Sequence, residues 1–485
     1  MPDRPTKTLN NDLKIMTSNS QKENTAKTEK EIINIVARQR EYFKSGATKS
    51  YQSRIENLNK LKSALAKYES EINAALKQDL GKPAFEAYLS ETGFSILDIS
   101  ETIRKLKRWM KPKRTLTSLL TQPGSSRIYY SPLGVNLIIA PYNYPINLTF
   151  SPLSAAIAAG NTAVIKTSEM TPACSAAIRK LISETFAPEF IAYIEGEVKE
   201  TTFLLQQKFD HIFFTGSPRV GSIVMSAAAK NLTPVTLELG GKSPCIVHED
   251  AKLDIAVKRI VSGKFLNAGQ TCIAPDYVLV HKAIKDEFLS KIKDRIISVY
   301  GVDAFTSPDF ARIVSDNHFE RICGLIDQQK VLVGGQSDAT SRFIAPTVMR
   351  DVILTDKVMS EEIFGPILPV LEYEKLGEVY EVVDQLPQHP LACYLYSEST
   401  ANQKEIINTI QSGGACINNC VFHFANHYLP FGGVGESGIG AYHGFHGFER
   451  FSHKKGVLKT ATWIDIPLTY APYGNKIKIL RKILK

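Results

Sequence analysis

A cysteine and a glutamate in this sequence stand where they could act as a thiol nucleophile and a general base. Cys272 lies in Phe265-Leu-Asn-Ala-Gly-Gln-Thr-Cys-Ile273, a run of small and neutral-polar residues between a helical pattern and a strand-like run. Glu238 lies in Val235-Thr-Leu-Glu-Leu-Gly-Gly-Lys-Ser243, in an otherwise apolar strand. A carboxylate buried there is costly unless it is used or paired. A thiol beside a desolvated base predicts acyl chemistry through a thioester, whereas an isolated cysteine is more often structural.

The order of these motifs resembles the aldehyde dehydrogenase superfamily. Glu-Leu-Gly-Gly-Lys followed by Asn-Ala-Gly-Gln-Thr-Cys is typical of that superfamily. The continuation Cys-Ile-Ala-Pro-Asp-Tyr and the run Phe-Gly-Gly-Val-Gly-Glu-Ser-Gly resemble its class 3 branch, which includes fatty and aromatic aldehyde dehydrogenases. The resemblance runs from roughly residue 50 to residue 460, with its motifs in family order.

Composition and charge narrow the class of protein. The chain has 485 residues, more than one hydrophobic core usually serves, so at least two domains are expected. Hydrophobic residues make up 44% and charged residues 22% of the sequence, as in ordinary globular proteins. The net charge of +9 is spread along the chain without a basic-aromatic stripe, which argues against a nucleic-acid partner.

The cysteines and the chain ends indicate the cellular compartment of the protein. Seven irregularly spaced cysteines favour a reducing compartment and hence a cytoplasmic location. Cys416 and Cys420 have no neighbouring His–Cys set to complete a metal site, so no metal is expected. No run of 18 apolar residues indicates a transmembrane helix. Residues 1–30 lack the apolar core of a secretory signal and are predicted to form a flexible arm.

Short apolar runs alternate with helical patterns, which predicts an α/β protein with parallel sheets. The first of these helical patterns predicts a helix over residues Ser151 to Ala159. Residues 31–114 and 135–240 are predicted to form a discontinuous dinucleotide-binding domain, and residues 241–420 an α/β catalytic domain. The extended, half-polar segment 115–134 is predicted to be a small β-ribbon oligomerisation arm, and the family resemblance implies a homodimer. Residues 421–485 are expected to supply a loop bordering the active site, an oligomerisation segment and a basic tail.

The C-terminal tail, Asn475 to Lys485, alternates basic and apolar residues at helical spacing. Such a pattern is typical of a helix lying on an anionic membrane surface. A surface-capping helix or a frayed end is the alternative, and the sequence alone favours it.

One turn between a predicted strand and a predicted helix could bind a dinucleotide. In His211-Ile-Phe-Phe-Thr-Gly-Ser-Pro-Arg-Val-Gly221, Gly216 permits a sharp turn and Ser217 can cap the helix. A helix N-terminus attracts a pyrophosphate. The run resembles the shifted dinucleotide motif of the family, which implies that Gly221 and Leu239 also contact the cofactor.

Lys166 and Glu169 follow another predicted strand. Such a pair is often a surface salt bridge, but at the carboxyl end of a strand it can hold the two hydroxyls of an adenosine ribose. The resemblance implies the second arrangement. Because a carboxylate at Glu169 would repel a 2′-phosphate, NAD is the expected cofactor, with NADP also accepted since Lys166 offsets the repulsion.

Two further loops could complete the site. In Ile139-Ala-Pro-Tyr-Asn-Tyr-Pro145, Asn143 is either a turn residue or an amide donor to an oxyanion, and the resemblance implies the donor. Ser360-Glu-Glu-Ile-Phe-Gly-Pro366 would be a surface turn on its own. The resemblance implies that Glu362 hydrogen-bonds the nicotinamide ribose and that Phe364 packs near the ring.

The substrate pocket is expected to be apolar. Tyr142, Tyr144, Ile273 and Phe431 are the candidates for its walls. The family more often has tryptophan where Tyr142 stands, so the shape of the pocket is not fixed by the resemblance.

The predicted function is NAD(P)-dependent oxidation of an aldehyde to a carboxylic acid through a cysteine thioester. Cys272 would attack the aldehyde, Asn143 and the backbone N–H of Cys272 would hold the oxyanion, and Glu238 would activate water. A coenzyme A-acylating, acyl-phosphate-linked or semialdehyde dehydrogenase could use the same cysteine, although a base for water favours hydrolysis. A catalytically idle binding or structural relative is the alternative from another class.

Overall fold

The computed structural model describes residues 28–386 and 389–484, and it begins with the helical region that the sequence predicts. Leucines at helical spacing, such as Leu58, Leu61 and Leu65, are fully buried. Residue 28 is already helical, so the predicted arm of residues 1–30 ends earlier than expected; residues 1–27 lie outside the described part. The helices are α1 (residues 28–44), α2 (Tyr51–Lys67), α3 (Glu69–Leu80), α4 (Ala84–Ala87) and α5 (Gly93–Trp109), and a π-helical turn, Tyr88–Thr92, precedes α5.

A two-stranded ribbon, β1 (Lys113–Thr115) and β2 (Gly124–Pro132), leads from these helices into the first large sheet. The sheet's own strands are mostly continuous apolar runs, as expected when helices cover both faces. These strands and the helices between them are β3 (Val135–Ile139), α6 (Asn147–Ala159), β4 (Thr162–Lys166), α7 (Pro172–Thr185), β5 (Ile191–Tyr193), α8 (Val198–Gln206), β6 (His211–Thr215), α9 (Pro218–Ala229) and β7 (Val235–Glu238).

A second mixed region follows and builds a seven-stranded sheet in the order β10-β13-β14-β9-β8-β15-β16. All of its neighbouring strands are parallel except β10 and β13. Its elements, with a separate hairpin of β11 and β12, are β8 (Pro244–Val247), α10 (Leu253–Phe265), β9 (Tyr277–His281), α11 (Lys285–Tyr300), α12 (Asp316–Cys323), β10 (Val331–Val333), β11 (Ser337–Asp338), β12 (Phe343–Ile344), β13 (Thr347–Met349), β14 (Ile367–Tyr373), α13 (Leu376–Gln385), β15 (Ala392–Tyr396), α14 (Thr400–Thr409) and β16 (Gly414–Ile417).

The C-terminal part of the chain pairs with the first large sheet and with the ribbon. Its elements are β17 (Gly438–Ile439), α15 (Gly444–Arg450), β18 (Ser452–Thr460) and α16 (Lys476–Ile483). Strand β17 pairs antiparallel with β7, which completes a six-stranded sheet in the order β17-β7-β6-β3-β4-β5. Strand β18 pairs with β2 along its whole length and makes the ribbon three-stranded. No helix in the described ranges is long and apolar enough to cross a membrane.

Two expectations about local structure were wrong. Helix α6 begins at Asn147 rather than near Ser151, because the N–H groups of Ile146 and Asn147 are satisfied by the carboxylate of Glu91. The short strands β16 and β17 were not expected, since each depends on pairing with a distant strand. The carboxyl ends of the parallel strands β3, β4, β6 and β7 meet along one edge, where ligands of such sheets bind.

Candidate active site

The loop that carries Cys272 is held in a left-handed turn between α10 and β9. Asn267, Ala268 and Gly269 have φ angles of 53°, 51° and 75°. Only a glycine fits at Gly269, because a methyl group there would lie 2.2 Å from the carbonyl oxygen of Gly365. The amide of Gln270 donates to the carbonyls of Asn267 at 3.0 Å and Arg312 at 2.9 Å. The thiol is therefore carried by a rigid backbone.

Asn143 and Tyr144 lie against this loop. The side-chain nitrogen of Asn143 donates to the carbonyl of Gln270 at 3.0 Å, which leaves its second hydrogen for another acceptor. The hydroxyls of Tyr144 and Thr271 are 2.7 Å apart. In return, the amide of Asn267 donates to the carbonyl of Asn143 at 2.8 Å. The structure thus brings the predicted oxyanion donor to the cysteine loop.

Glu238 is the last residue of β7, and its side chain is buried, as the sequence predicts. Within the described part of the chain, neither of its carboxyl oxygens has a hydrogen-bond partner. Burial raises the pKa of this carboxyl well above its usual value, and the charge of Arg450 opposes that rise only in part. A buried and unpartnered carboxyl group is costly for the fold, so its position requires a functional explanation.

Two carboxylates affect the pKa of the Cys272 thiol. Its side chain is partly buried, and burial together with the nearby charges of Glu362 and Glu238 raises the pKa of the thiol. Close approaches between the segments place these residues together: the cysteine loop meets the Glu362 loop at Gly269 and Gly365, and Glu362 lies against Gly240, two residues after Glu238. Cys272, Glu238 and Glu362 are therefore carried by three segments that meet, and the region between them is the shared space.

The turn after β6 has the geometry expected of a pyrophosphate site. Ser217 caps α9, with its hydroxyl accepting the N–H of Val220 at 3.4 Å. A methyl group on Gly221 would lie 2.6 Å from a methyl carbon of Leu239, so the helix packs tightly against the end of β7. Gly216 donates its N–H to the carbonyl of Glu238 at 3.0 Å. A helix N-terminus opening beside Glu238 fits the phosphates of a dinucleotide.

Lys166 and Glu169 lie at the end of β4, three strands away from Glu238 along the sheet. The Lys166 ammonium is buried and 2.9 Å from the carboxylate of Glu169, whose side chain is 41% exposed. Such a half-open pair at the carboxyl edge fits a ribose that lies beyond the phosphates. These two residues are not part of the space that Cys272 and Glu238 share.

The loop that contains Glu362 and Phe364 closes the same space from the second sheet. A methyl group on Gly240 would lie 1.9 Å from a carboxyl oxygen of Glu362. Burial and the charge of Asp276 raise the pKa of Glu362 to about 8, against a backbone hydrogen bond from Gly241. Phe364 has a φ angle of 49°, and its ring is 5.9 Å from that of Tyr142 in an edge-on contact.

Lys242, in the Gly-Gly-Lys run, joins this loop to the end of the first sheet. Its buried ammonium lies 2.5 Å from Asp276 and donates to the carbonyls of Val358 at 3.2 Å and Glu361 at 2.8 Å. Asp276 also accepts the N–H of Ile363 at 3.0 Å. The position of Glu362 is therefore fixed on both sides.

Comparison with known proteins identifies the family to which this site and fold belong. The model of the aldehyde dehydrogenase family matches residues 10–457. The chain belongs to the aldehyde dehydrogenase family. It is 45% identical over 446 residues to 4,4'-diaponeurosporen-aldehyde dehydrogenase of Staphylococcus aureus, covering 92% of this chain and 97% of that protein.

Two further relatives agree with this aldehyde dehydrogenase assignment. The rat enzyme described as aldehyde dehydrogenase, dimeric NADP-preferring, is 44% identical, and the match covers 88% of this chain and 94% of that protein. A solved structure described as the substrate-bound state of Staphylococcus aureus AldH has a TM-score of 0.91 and 44% identity, covering 94% of this chain and 99% of that chain. The protein is therefore an NAD(P)-dependent oxidoreductase that converts aldehydes to carboxylic acids, and its class 3 resemblance is confirmed.

The four residues expected to form the pocket of this aldehyde dehydrogenase lie on different loops. Tyr142 contacts Phe364, Tyr144 contacts Thr271, and Ile273 is buried next to the cysteine. Phe431 packs on Tyr442, and the charges of both Glu238 and Cys272 act on that tyrosine.

A buried ion pair that the sequence did not reveal holds the loop of Asn143, the predicted oxyanion donor; this loop is called the oxyanion loop. The ammonium of Lys82 lies 2.7 Å from Glu91, 3.1 Å from the carbonyl oxygen of Asn143 and 4.3 Å from the ring centre of Tyr144. Glu91 accepts the N–H groups of Ile146 at 3.0 Å and Asn147 at 2.9 Å. One pair of charges therefore fixes both ends of the loop.

Further aromatic and histidine side chains near the cysteine were also missed. The hydroxyl of Tyr394 donates to the carbonyl of Ile273 at 2.5 Å. His443 stacks on Phe431 with ring centres 5.1 Å apart, and burial lowers the pKa of His443 to about 4. The run Tyr442-His443 directly after the glycine-rich loop was the signal available in the sequence.

Proposed function

We propose that Cys272 is the nucleophile of this aldehyde dehydrogenase, Asn143 its oxyanion donor and Glu238 its base for hydrolysis. The thiol of Cys272 gives its proton to water, and the resulting thiolate sulfur bonds to the carbonyl carbon. The carbonyl oxygen then becomes negative and accepts hydrogen bonds from the Asn143 amide and the backbone N–H of Cys272. When bound, NAD or NADP supplies the acceptor for the hydride.

The hydrolytic step depends on Glu238, and the observation that carries this proposal is the burial of its carboxyl group without any hydrogen-bond partner. A carboxylate whose pKa is raised is a stronger base than one in water. Glu238 takes a proton from water, the resulting hydroxide attacks the thioester carbon, and the bond to sulfur breaks. The carboxylic acid leaves, and the sulfur of Cys272 is regenerated.

Two variants test these roles separately. Cys272→Ala should abolish aldehyde oxidation while NADH still binds, as followed by fluorescence, whereas Cys416→Ala, at another partly buried thiol, should keep its activity. Glu238→Gln should keep a burst of about one NADH per site and lower the steady rate by roughly 10²–10⁴-fold. A Cys272→Ala enzyme with full activity, or a Glu238→Gln enzyme with an unchanged steady rate, would contradict the assignment.

The cofactor is bound, we propose, by Gly216, Ser217, Gly221 and Leu239 at its phosphates, with Lys166 and Glu169 at the adenosine ribose. Glu362 and Phe364 take the nicotinamide end. The pairing of Lys166 with Glu169 supports NAD as the preferred cofactor, because the carboxylate faces any 2′-phosphate. Glu169→Gln should raise kcat/KM for NADP relative to NAD, and an unchanged ratio would refute this placement of the ribose.

The substrate is, we propose, an apolar aldehyde. Tyr142, Tyr144, Ile273 and Phe431 supply aromatic and aliphatic surface around the thiol. The Staphylococcus aureus relative is named 4,4'-diaponeurosporen-aldehyde dehydrogenase. A panel of aldehydes of increasing chain length should give rising kcat/KM, and a preference for short, charged aldehydes would overturn the proposal.

The enzyme is proposed to be a cytoplasmic homodimer. Strand β18 is an exposed edge of the three-stranded ribbon, and a free edge of this kind invites pairing with a second chain. The rat relative is described as dimeric. All seven cysteines are free thiols, which suits a reducing compartment. Sedimentation equilibrium should give twice the chain mass of 53.8 kDa, and a monomer would contradict the dimer.

We propose that residues 31–114 and 135–240 form the dinucleotide-binding domain, 115–134 the oligomerisation ribbon and 241–420 the catalytic domain. Residues 421–485 supply the loop bordering the active site, an oligomerisation segment and the basic tail. The pairing of β17 with β7, which ends in Glu238, and of β18 with β2 of the ribbon supports these roles for the last segment.

A further inference from the structure

The C-terminal segment from Trp463 to Leu484 carries nine exposed large hydrophobic side chains that the reaction does not use. Helix α16 buries none of its residues, so it does not cap the protein surface. We propose that this segment, the docking segment, binds the surface of an anionic phospholipid membrane. The proposal is independent of which aldehyde the enzyme oxidises.

The docking segment is one structural unit with two faces. Ile479, Leu480 and Ile483 fall on one side of α16, and Lys478, Arg481 and Lys482 fall on the other. The ammonium of Lys476 donates to the carbonyls of Pro467 at 2.7 Å and Tyr470 at 2.9 Å, which ties the start of the helix to the preceding turn. The large exposed side chains include Trp463, Ile466, Tyr473, Ile477, Ile479 and Leu484.

Charge determines which surface the docking segment fits. Between Trp463 and Leu484 the sequence has four basic residues and a single acidic one, Asp465. A basic residue close to an anionic leaflet contributes roughly a factor of five to binding. Tryptophan and tyrosine prefer the boundary between lipid headgroups and acyl chains, and Trp463, Tyr470 and Tyr473 are all exposed. The segment therefore presents cations, aromatic rings and aliphatic side chains together, as interfacial helices do.

Other occupants fit this surface less well. A helix of eight residues is about 12 Å long, far short of the roughly 30 Å of a bilayer core, so the segment lies on the membrane and does not span it. The proposed dimer pairs through β18, which ends at Thr460 before the docking segment begins, and a second copy with a net charge of +9 offers this basic helix no excess of acidic groups. Anionic lipid supplies both negative headgroups and an apolar layer.

Cosedimentation of the full-length protein with vesicles tests the proposal. Vesicles of phosphatidylcholine alone would be compared with vesicles containing about 30% phosphatidylglycerol, at low and high salt. The test variant is Lys478→Glu/Arg481→Glu/Lys482→Glu. Its matched control, Lys60→Glu/Lys230→Glu/Lys404→Glu, changes the net charge by the same amount at exposed residues of other helices and of the loop after α9.

The wild-type protein and the control should bind the anionic vesicles at low salt and be released at high salt. The test variant should bind more than 100-fold more weakly, because three contributions of about fivefold are lost. Its oligomeric state and its kcat/KM for a small water-soluble aldehyde should stay unchanged. Absence of binding by the wild-type protein, equal binding to both vesicle types, or equal losses in the two triple variants would overturn the proposal. A change of oligomeric state in the test variant alone would identify a second copy as the occupant instead.

Discussion

Lys82→Met would remove one charge of the buried ion pair that holds the oxyanion loop, while keeping most of the side-chain volume. The lysine is 1% exposed and its ammonium contacts both Glu91 and the carbonyl of Asn143. Without it, the carboxylate of Glu91 keeps only the N–H groups of Ile146 and Asn147 as partners.

The expected magnitude follows from this burial. Removal of one partner of a buried ion pair typically costs about 3–5 kcal/mol of stability. Burial already raises the pKa of Glu91, and loss of Lys82 would raise that pKa further, so that uptake of a proton limits the cost to about 3 kcal/mol near neutral pH. If Asn143 also moves, the oxyanion loses a donor worth about 2.7–4 kcal/mol, which is roughly 10²–10³ in the rate of acylation.

Two measurements would separate these effects. Urea unfolding followed by circular dichroism gives the free energy of unfolding, and the pre-steady-state burst of NADH gives the acylation rate. Lys82→Met/Glu91→Gln should recover much of the stability, because glutamine still accepts from a backbone N–H and carries no charge. Lys60→Met, on the exposed side of α2, should change stability by less than about 0.5 kcal/mol. A Lys82→Met enzyme that loses less than about 1 kcal/mol and acylates at the wild-type rate would refute the reasoning.

Three further variants test burial and packing. Burial raises the pKa of Glu86 to about 7, so the native state binds this proton more tightly than the unfolded chain, and stability falls as the pH rises from about 4.5 to about 7. The free energy of unfolding, measured with urea, should fall by about 3 kcal/mol less between these pH values in Glu86→Gln than in the wild-type protein. The same dependence on pH in both proteins would contradict this prediction. Glu238→Leu should abolish turnover yet raise the free energy of unfolding by about 1–3 kcal/mol, because two unpartnered oxygens disappear; lower stability would argue against it. Gly221→Ala should cost about 1–3 kcal/mol and weaken NADH binding in a fluorescence titration, since the new methyl meets Leu239. Gly377→Ala, with nothing within 4 Å, is its matched control, and equal effects of the two alanines would exclude a role for that contact.

Most of the fold could be predicted because its elements carry their own signals. Continuous apolar runs such as Val135–Ile139 indicate strands buried on both faces, and they were found. Strand β17 could not be predicted, because Gly438 and Ile439 become a strand only by pairing with Glu238 and Leu237. The start of α6 was also misplaced, since it is fixed by a carboxylate from another helical region.

The active site shows the same division between local and distant causes. Cys272, Glu238 and Asn143 stand in motifs whose residue types suggest their chemistry, and the structure brings the segments that carry them together. Lys82 gave no such signal: a single lysine after a glycine resembles a surface charge in the sequence. Its importance depends on burial beside Glu91, and burial of a polar side chain is a property of the packed molecule.

Lys242 connects the two large sheets, and this connection limits how far they can move relative to each other. The strand that ends in Glu238 and the strand that begins at Pro244 are joined by five residues, and the lysine among them is bonded to the loop of Glu362. If the two sheets moved apart, the buried ammonium of Lys242 would lose its hydrogen-bond partners. We therefore expect Glu238 and the loop of Glu362 to keep their relative positions during turnover, because a short covalent bridge and its buried lysine hold both.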